Sequence, residues 1–329
     1  MGESGQQAGA TGAAGEHAAA GARPRGLARW WVYQRERFPV AAHGPLIAAF
    51  SLSAVCYSAL VRGATGITPA AALVAFATAF LFFLQLRIAD EFKDAEEDAR
   101  FRPYRPVPRG LVTLRELGVL GAAAALVQLA LAAGYDARLL AILAVVLGYL
   151  ALMSVEFFAG AWLRARPFLY MASHMLVMPL IDFYATACDW LPAGAGVAPA
   201  LAWFLLISYF NGMVIEIGRK IRAPADEETG VETYSAVWGR RRAVAAWLGA
   251  MALCAACALM AAREIRFVVP VASVLALLAA AAAIVAAGYL REARAGAGKR
   301  IELVSGVWTL AMYVSVGVVP LALRHWGIA

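Results

Sequence analysis

Nine stretches of almost uninterrupted apolar residues divide the chain, approximately 40–61, 70–86, 113–134, 139–158, 168–187, 199–217, 243–262, 267–289 and 301–323. Each is close to the ~20 residues that carry a helix across a ~30 Å hydrocarbon layer. A transmembrane barrel would show alternating ten-residue segments instead. The pattern predicts an all-α, multi-pass membrane protein with nine transmembrane helices. The second run is the shortest, and its helix is expected to continue past the membrane into the charged stretch that follows. Ahead of the first run, residues 27–38 mix Trp30, Trp31 and Tyr33 with Arg29, Arg35 and Arg37, which suits a short helix in the headgroup layer. Residues 1–26, rich in Gly and Ala and without apolar periodicity, read as a disordered tail ahead of one transmembrane domain, 27–329.

Composition agrees with this class. The chain is 62% hydrophobic and 16% charged, whereas a soluble protein carries about 25% charged residues. The net charge of +7 invites a nucleic-acid partner, but the placement of the charge argues against one. With the N-terminus in the cytoplasm, all Lys and Arg fall on inside segments except Arg62, Arg138, Arg263, Arg266 and Arg324. That asymmetry is the positive-inside pattern, and it explains the net charge without nucleic acid. The four cysteines show no disulfide or zinc spacing, and the Cys254/Cys257 pair lies among alanines, where close helix packing explains it.

Two inside loops are long and dense in both signs of charge, one after the second run and one after the sixth. They lie four spans apart, so both open on one membrane face, as a parallel duplication of a four-helix unit would arrange them. In the first, Asp90, Asp94 and Asp98 are spaced four apart and share one helix face, with Glu91 and Glu97 flanking it and Glu96 adding another acid. Crowded carboxylates repel one another unless cations sit among them, and Mg²⁺ prefers carboxylate, phosphate and water oxygens. Asp90, Glu91, Asp94 and Asp98 are the candidate metal ligands of this loop. Arg102, Arg105 and Arg109, in the proline-broken tail, offer forked donors to phosphate oxygens. The bland alternative is a solvated loop whose acids pair with its own arginines. In the second loop Glu216 lies just inside the end of an apolar run, with Arg219, Lys220 and Arg222 as its simplest partners.

Together the two loops resemble those of the UbiA-type intramembrane prenyltransferase superfamily. That family has nine helices and two Asp-rich motifs, after the second and sixth. Its first motif, Asn-Asp-x-x-Asp-x-x-x-Asp, is matched by Asp90-Glu91-x-x-Asp94-x-x-x-Asp98, and its Arg-Pro-x-Pro-x-Gly signature by Arg105-Pro106-Val107-Pro108-Arg109-Gly110. Its basic pair before a proline is matched by Arg164-Ala165-Arg166-Pro167. The second motif departs from the family pattern. Asp226-x-x-x-Gly230-x-x-Thr233 matches its close, but Arg222 stands where the preceding acid is expected, and Glu216 is out of frame.

The resemblance implies that Mg²⁺ bridges the diphosphate of an allylic isoprenoid to both motifs, with Asp90, Asp94, Glu216 and Asp226 as catalytic acids and Asp226 as a further metal ligand. It implies that Arg102, Arg105, Arg109, Arg164, Arg166, Lys220 and Arg222 hold the diphosphate. The C–O bond then ionises, and an aromatic or other hydrophobic acceptor captures the allylic cation. Tyr209, Phe210, Phe157 and Phe158 lie at depths where an aromatic face would stabilise that cation, though packing also explains them. Glu156 is placed to orient or deprotonate an acceptor, whereas Asp182 and His174 lie deeper in the fifth run. The expected partners are an isoprenoid diphosphate, a hydrophobic acceptor and membrane lipids. The expected location is a bacterial cell membrane, with the site facing the cytoplasm. A terpene cyclase or a sugar-diphosphate transferase on the same scaffold is the enzymatic alternative, and a transporter or lipid-binding protein the non-enzymatic one.

Overall fold

A computed structural model describes residues 26–328, so all but the last residue of the expected disordered tail lies outside the described residues. In chain order the helices are α1 (Leu27–Arg37), α2 (Val40–Val61), α3 (Pro69–Lys93), α4 (Ala95–Phe101), α5 (Leu114–Tyr135), α6 (Leu139–Ser154), α7 (Gly160–Arg164), α8 (Pro167–Met175), α9 (Val177–Trp190), α10 (Leu201–Arg219), α11 (Tyr234–Trp238), α12 (Arg240–Glu264), α13 (Val268–Arg291), α14 (Ala297–Tyr313) and α15 (Val319–His325). The described residues hold helices, turns and loops, and no strand.

Local chemistry sets many of the helix ends. Thr68 caps α3 by accepting from Ala71 N at 3.1 Å, and Pro69 fills the first helical position, where no N–H partner is needed. Thr113 and Glu116 form a reciprocal capping box at the start of α5, with bonds of 3.2 and 2.9 Å. The expected fifth span is broken between α8 and α9, because Pro179 has no N–H for the Met175 carbonyl four residues back. Between α14 and α15 the turns widen into a π segment, Val314–Val318, just before Pro320.

Among the described residues eight helical segments are long and apolar enough to cross a membrane, namely α2, α3, α5, α8–α9, α10, α12, α13 and the run from α14 through α15. The ninth apolar helix, α6, has 16 residues. Hydropathy extends this span to residue 158, but the helix stops at Ser154. Glu156, Phe157 and Phe158 then take left-handed φ values of 50°, 54° and 57°. The turn is held by polar contacts of Glu156, which a hydropathy window does not register.

The interior is built by close approach. α10 packs against α12 and α14, α2 against α9, and α3 against α5 and α9. At Gly218 of α10 there is no room for a side chain beside Ser305, whose hydroxyl accepts from Trp247 Nε1 at 2.9 Å. Small residues that let helices touch are the usual device of packing in lipid. At the end of the bundle away from the acidic run, Arg62 grips both oxygens of Asp189 at 2.8 Å, and Ser58 donates to the same carboxylate. At the other end α3 and α10 run out into the two charged loops. Those loops touch where the Phe101 ring packs against Gly230, whose φ is +76°.

Candidate active site

The acidic helix face survives the end of α3. Asp94 interrupts the α3–α4 boundary, yet its N–H still bonds the Asp90 carbonyl at 2.9 Å, and the Asp98 N–H bonds the Asp94 carbonyl at 2.7 Å. The three aspartates therefore stay one turn apart. Burial, followed by the charges of Asp90 and Asp98, raises the pKa of the Asp94 carboxyl above the ordinary aspartate range. Arg102 and Arg105 oppose this, with a smaller effect.

The acids divide into two sets. Glu91 and Asp98 are buried at 2% exposure and fully engaged. Glu91 turns to Arg37 of α1, and Asp98 takes Arg105 on both oxygens at 2.6 and 2.8 Å and Arg102 at 3.2 Å. Asp90 is half-exposed with Arg87 at a loose 3.5 Å, and Asp94 is intermediate in burial. Among the described residues Asp90 and Asp94 are thus the least engaged of the first-motif carboxylates, Asp90 with one loose partner and Asp94 with none.

The expected phosphate ligands are also divided. Arg102 and Arg105 face Asp98, and Arg109 bonds Glu36 of α1 at 2.9 Å. Arg164 meets Glu156 at 2.6 Å, and Arg166 lies 4.4 Å over the Trp162 ring. At the end of α10 Glu216 is clamped between Arg219 at 2.7 Å and Lys220 at 2.9 Å. Arg222 meets Glu302 at 3.7 Å. Asp226 accepts from Gly296 N at 2.7 Å. Arg219 pairs with Glu216, and the charge of Asp90 acts on it more weakly.

Among the described residues no three His, Cys, Asp or Glu side chains are grouped to hold a metal by themselves. Carboxylate pairs such as Asp90 and Asp94 suit Mg²⁺, which commonly takes one or two protein carboxylates and completes its shell with phosphate and water oxygens. Phe157 packs edge-on to His174, Phe210 against Tyr209, and Phe158 is 85% exposed. Asp182 is fully buried, with Tyr313 Oη 3.5 Å away. An apolar groove of about 500 Å³ lies along α1, lined by Trp30, Tyr33, Phe38, Phe80, Leu84 and Leu120.

Sequence reasoning did not assign the grip of α1 on the acidic helix, through Arg37, or a role for Lys93. Lys93 follows Asp90 by three residues, which puts both on one side of the helix, and that spacing was the available signal.

The sequence profile of the UbiA prenyltransferase family matches residues 49–303. The chain belongs to this family. No curated relative matches it in sequence. Among solved structures, the fold is similar to the apo structure of a UbiA homologue from Aeropyrum pernix K1, with TM-score 0.62, 19% identity, and 83% of this chain and 95% of that chain covered. It is similar to a digeranylgeranylglyceryl phosphate synthase, with TM-score 0.58, 14% identity and coverage of 90% and 99%. A UbiA homologue from Archaeoglobus fulgidus, solved with DMAPP and Mg²⁺, gives TM-score 0.50, 15% identity and coverage of 86% and 98%. As a UbiA-family member the protein is a prenyltransferase and an integral membrane protein. The helical architecture expected from the apolar runs is present, with eight segments of full spanning length.

Proposed function

We propose that this UbiA-family protein transfers an isoprenoid group from an allylic diphosphate to an aromatic or other hydrophobic acceptor within the membrane, and that Asp90 and Asp94 hold Mg²⁺. The observation that carries the reading is the pair itself. Among the described residues Asp94 has no ion-pair partner and Asp90 only the loose contact with Arg87 at 3.5 Å, whereas Glu91 and Asp98 are fully engaged. Mg²⁺ bound there would neutralise charge on the diphosphate and make it a better leaving group. The A. fulgidus homologue was solved with DMAPP and Mg²⁺, which supports an allylic diphosphate and Mg²⁺ as the ligands.

The chain's own groups do the rest. Arg87, 3.5 Å from Asp90, and Arg219, at the end of α10, would supply fixed positive charge where negative charge grows on the departing diphosphate. Lys220, 38% exposed, adds a donor at the end of α10. Arg102 and Arg105 serve the site indirectly, by holding Asp98 and with it the turn that carries Asp94. The lysine and arginine distribution supports a site on the cytoplasmic face. The Asp226–Gly296 contact supports a structural role for Asp226, so the metal is assigned to the first motif.

The test is incubation of the purified protein with allylic diphosphates of several lengths, with and without Mg²⁺, reading diphosphate release and products by mass spectrometry. Release that requires Mg²⁺ and an added acceptor is expected. Release without acceptor, giving a cyclic hydrocarbon, would point to a cyclase, and no release from any diphosphate would end the enzymatic reading.

A further inference from the structure

The first acidic motif carries one base, Lys93, directly before Asp94 and three residues after Asp90. Its ammonium does not pair with either aspartate. It points to α8, where Nζ lies 2.6 Å from the Tyr170 hydroxyl and 3.1 Å from His174 Nε2. His174 Nδ1 is 2.8 Å from the Tyr170 carbonyl, which can only accept, so Nδ1 carries the ring proton and Nε2 offers a lone pair to Lys93. The Tyr170 hydroxyl accepts from Lys93 and donates to Glu156 Oε1 at 3.2 Å. Glu156 stands 3.8 Å from the ammonium and is itself held by Arg164 at 2.6 Å. Two of the three ammonium hydrogens therefore rest on neutral acceptors, and among the described residues the third has none within hydrogen-bond distance.

The surroundings look built for this arrangement. Glu156, Phe157 and Phe158 occupy three consecutive left-handed positions, an unfavourable conformation for L-residues that returns the Glu156 carboxylate towards Lys93. Gly160 lies where any added side chain would collide with that carboxylate. The Tyr170 and His174 rings stack at 4.0 Å, and Phe157 closes on His174 edge-on. Lys93 and Glu156 are each only 15% exposed. Lys93 lies one helical turn from Asp90 and next to Asp94, so the cluster adjoins the face assigned to the diphosphate.

We propose that Lys93 is a catalytic residue that donates its third N–H to the leaving diphosphate, and that Tyr170, His174 and Glu156 are positioning residues that keep the ammonium on the Asp90–Asp94 face. This deepens the prenyl-transfer reading and rests on it. In the step, the bond between C1 of the isoprenoid and the diphosphate oxygen breaks, and its electron pair stays on that oxygen. Lys93 stabilises the new charge without giving up its proton, the acceptor's nucleophilic atom forms the new bond to C1, and the proton the acceptor loses goes to the released diphosphate. The alternative role for Lys93 is to neutralise neighbouring acids without touching substrate.

Binding separates the two roles. The full-length protein in detergent is titrated calorimetrically with geranyl S-thiolodiphosphate, which ionises very poorly, in EDTA and in Mg²⁺. Wild type is expected to bind measurably in EDTA, with Lys93→Met at least about tenfold weaker and Lys93→Arg close to wild type, the scale of one charge-assisted hydrogen bond. In Mg²⁺ with turnover, Lys93→Met is expected to lose about 100-fold in kcat with a smaller change in KM, and Tyr170→Phe about tenfold in kcat. Should Lys93→Met fail to fold, as judged by thermal unfolding, Lys93→Arg and Tyr170→Phe carry the comparison. Equal binding of wild type and Lys93→Met in EDTA overturns the proposal, as does wild-type binding that vanishes in EDTA. Failure of wild type to bind in both conditions removes the prenyl-transfer reading and this inference with it.

Discussion

Arg37, in the helix that precedes the first span, forms a buried ion pair with Glu91 of the acidic motif, the two side chains being 10% and 1% exposed. The pair joins α1 to the turn of α3 that carries Asp90. Removing one member of a buried pair strands the other charge, which costs about 3–5 kcal/mol, whereas removing both is far milder. Arg37→Met is therefore expected to lower the unfolding temperature markedly, and Arg37→Met with Glu91→Leu to recover most of the loss. Thermal unfolding of the three proteins in detergent checks this. A double variant no better than the single would mean that the pair acts through something other than its charge.

Asp94 yields a pH-dependent prediction. Its carboxyl binds a proton more tightly in the folded chain, because burial and then Asp90 and Asp98 raise its pKa. Such a group favours the folded state at low pH and ceases to do so as pH rises through the raised pKa. In metal-free protein, Asp94→Asn should raise the unfolding temperature near neutral pH, with a gain that shrinks on acidification. Added Mg²⁺ should stabilise wild type and not the variant, and the variant should be at least about 100-fold slower in turnover. Equal stabilisation of both by Mg²⁺ would take Asp94 out of the metal site.

Arg105 distinguishes structural from substrate contact. It holds both oxygens of Asp98 in the structure. Arg102 still meets Asp98 at 3.2 Å, so Arg105→Ala should lower stability by about 1–3 kcal/mol through the lost charge-assisted hydrogen bonds and leave the KM for the allylic diphosphate within about threefold. A large rise in KM without loss of stability would assign Arg105 to the diphosphate.

Gly230 tests the contact between the two loops. Its φ of +76° and the Phe101 ring packed against it both exclude a side chain. Gly230→Ala is expected to cost about 1–3 kcal/mol locally and to expose residues 222–239 to protease before the helices unfold. Unchanged proteolysis would show that the loop adapts.

Much of this architecture is legible in the sequence, because membrane spans and helix faces follow from local pattern. The apolar runs place every long helix, and the four-residue spacing of Asp90, Asp94 and Asp98 gives the acidic face. Partner choice is not local. Arg105 reaches seven residues back to Asp98, Arg109 reaches α1, and Arg37 crosses 54 positions to Glu91. Nothing in the spacing of those charges says which acid each base takes. The end of α6 was hidden for a similar reason, since one glutamate in an apolar run leaves hydropathy high while its contacts with Arg164 and Tyr170 turn the backbone.

The second loop is fastened mainly to the last hairpin of the chain. Asp226 takes the Gly296 N–H, Tyr289 donates to the Arg222 carbonyl at 2.6 Å, Glu302 meets Arg222, and the Ile221 carbonyl closes over Gly298. A chain cut after α12 would keep every residue proposed to touch metal or diphosphate and lose the scaffold beneath Arg219 and Lys220. Supplying α13 to α15 as a separate polypeptide should restore that scaffold, which makes the final hairpin a removable keystone of a site to which it contributes no ligand.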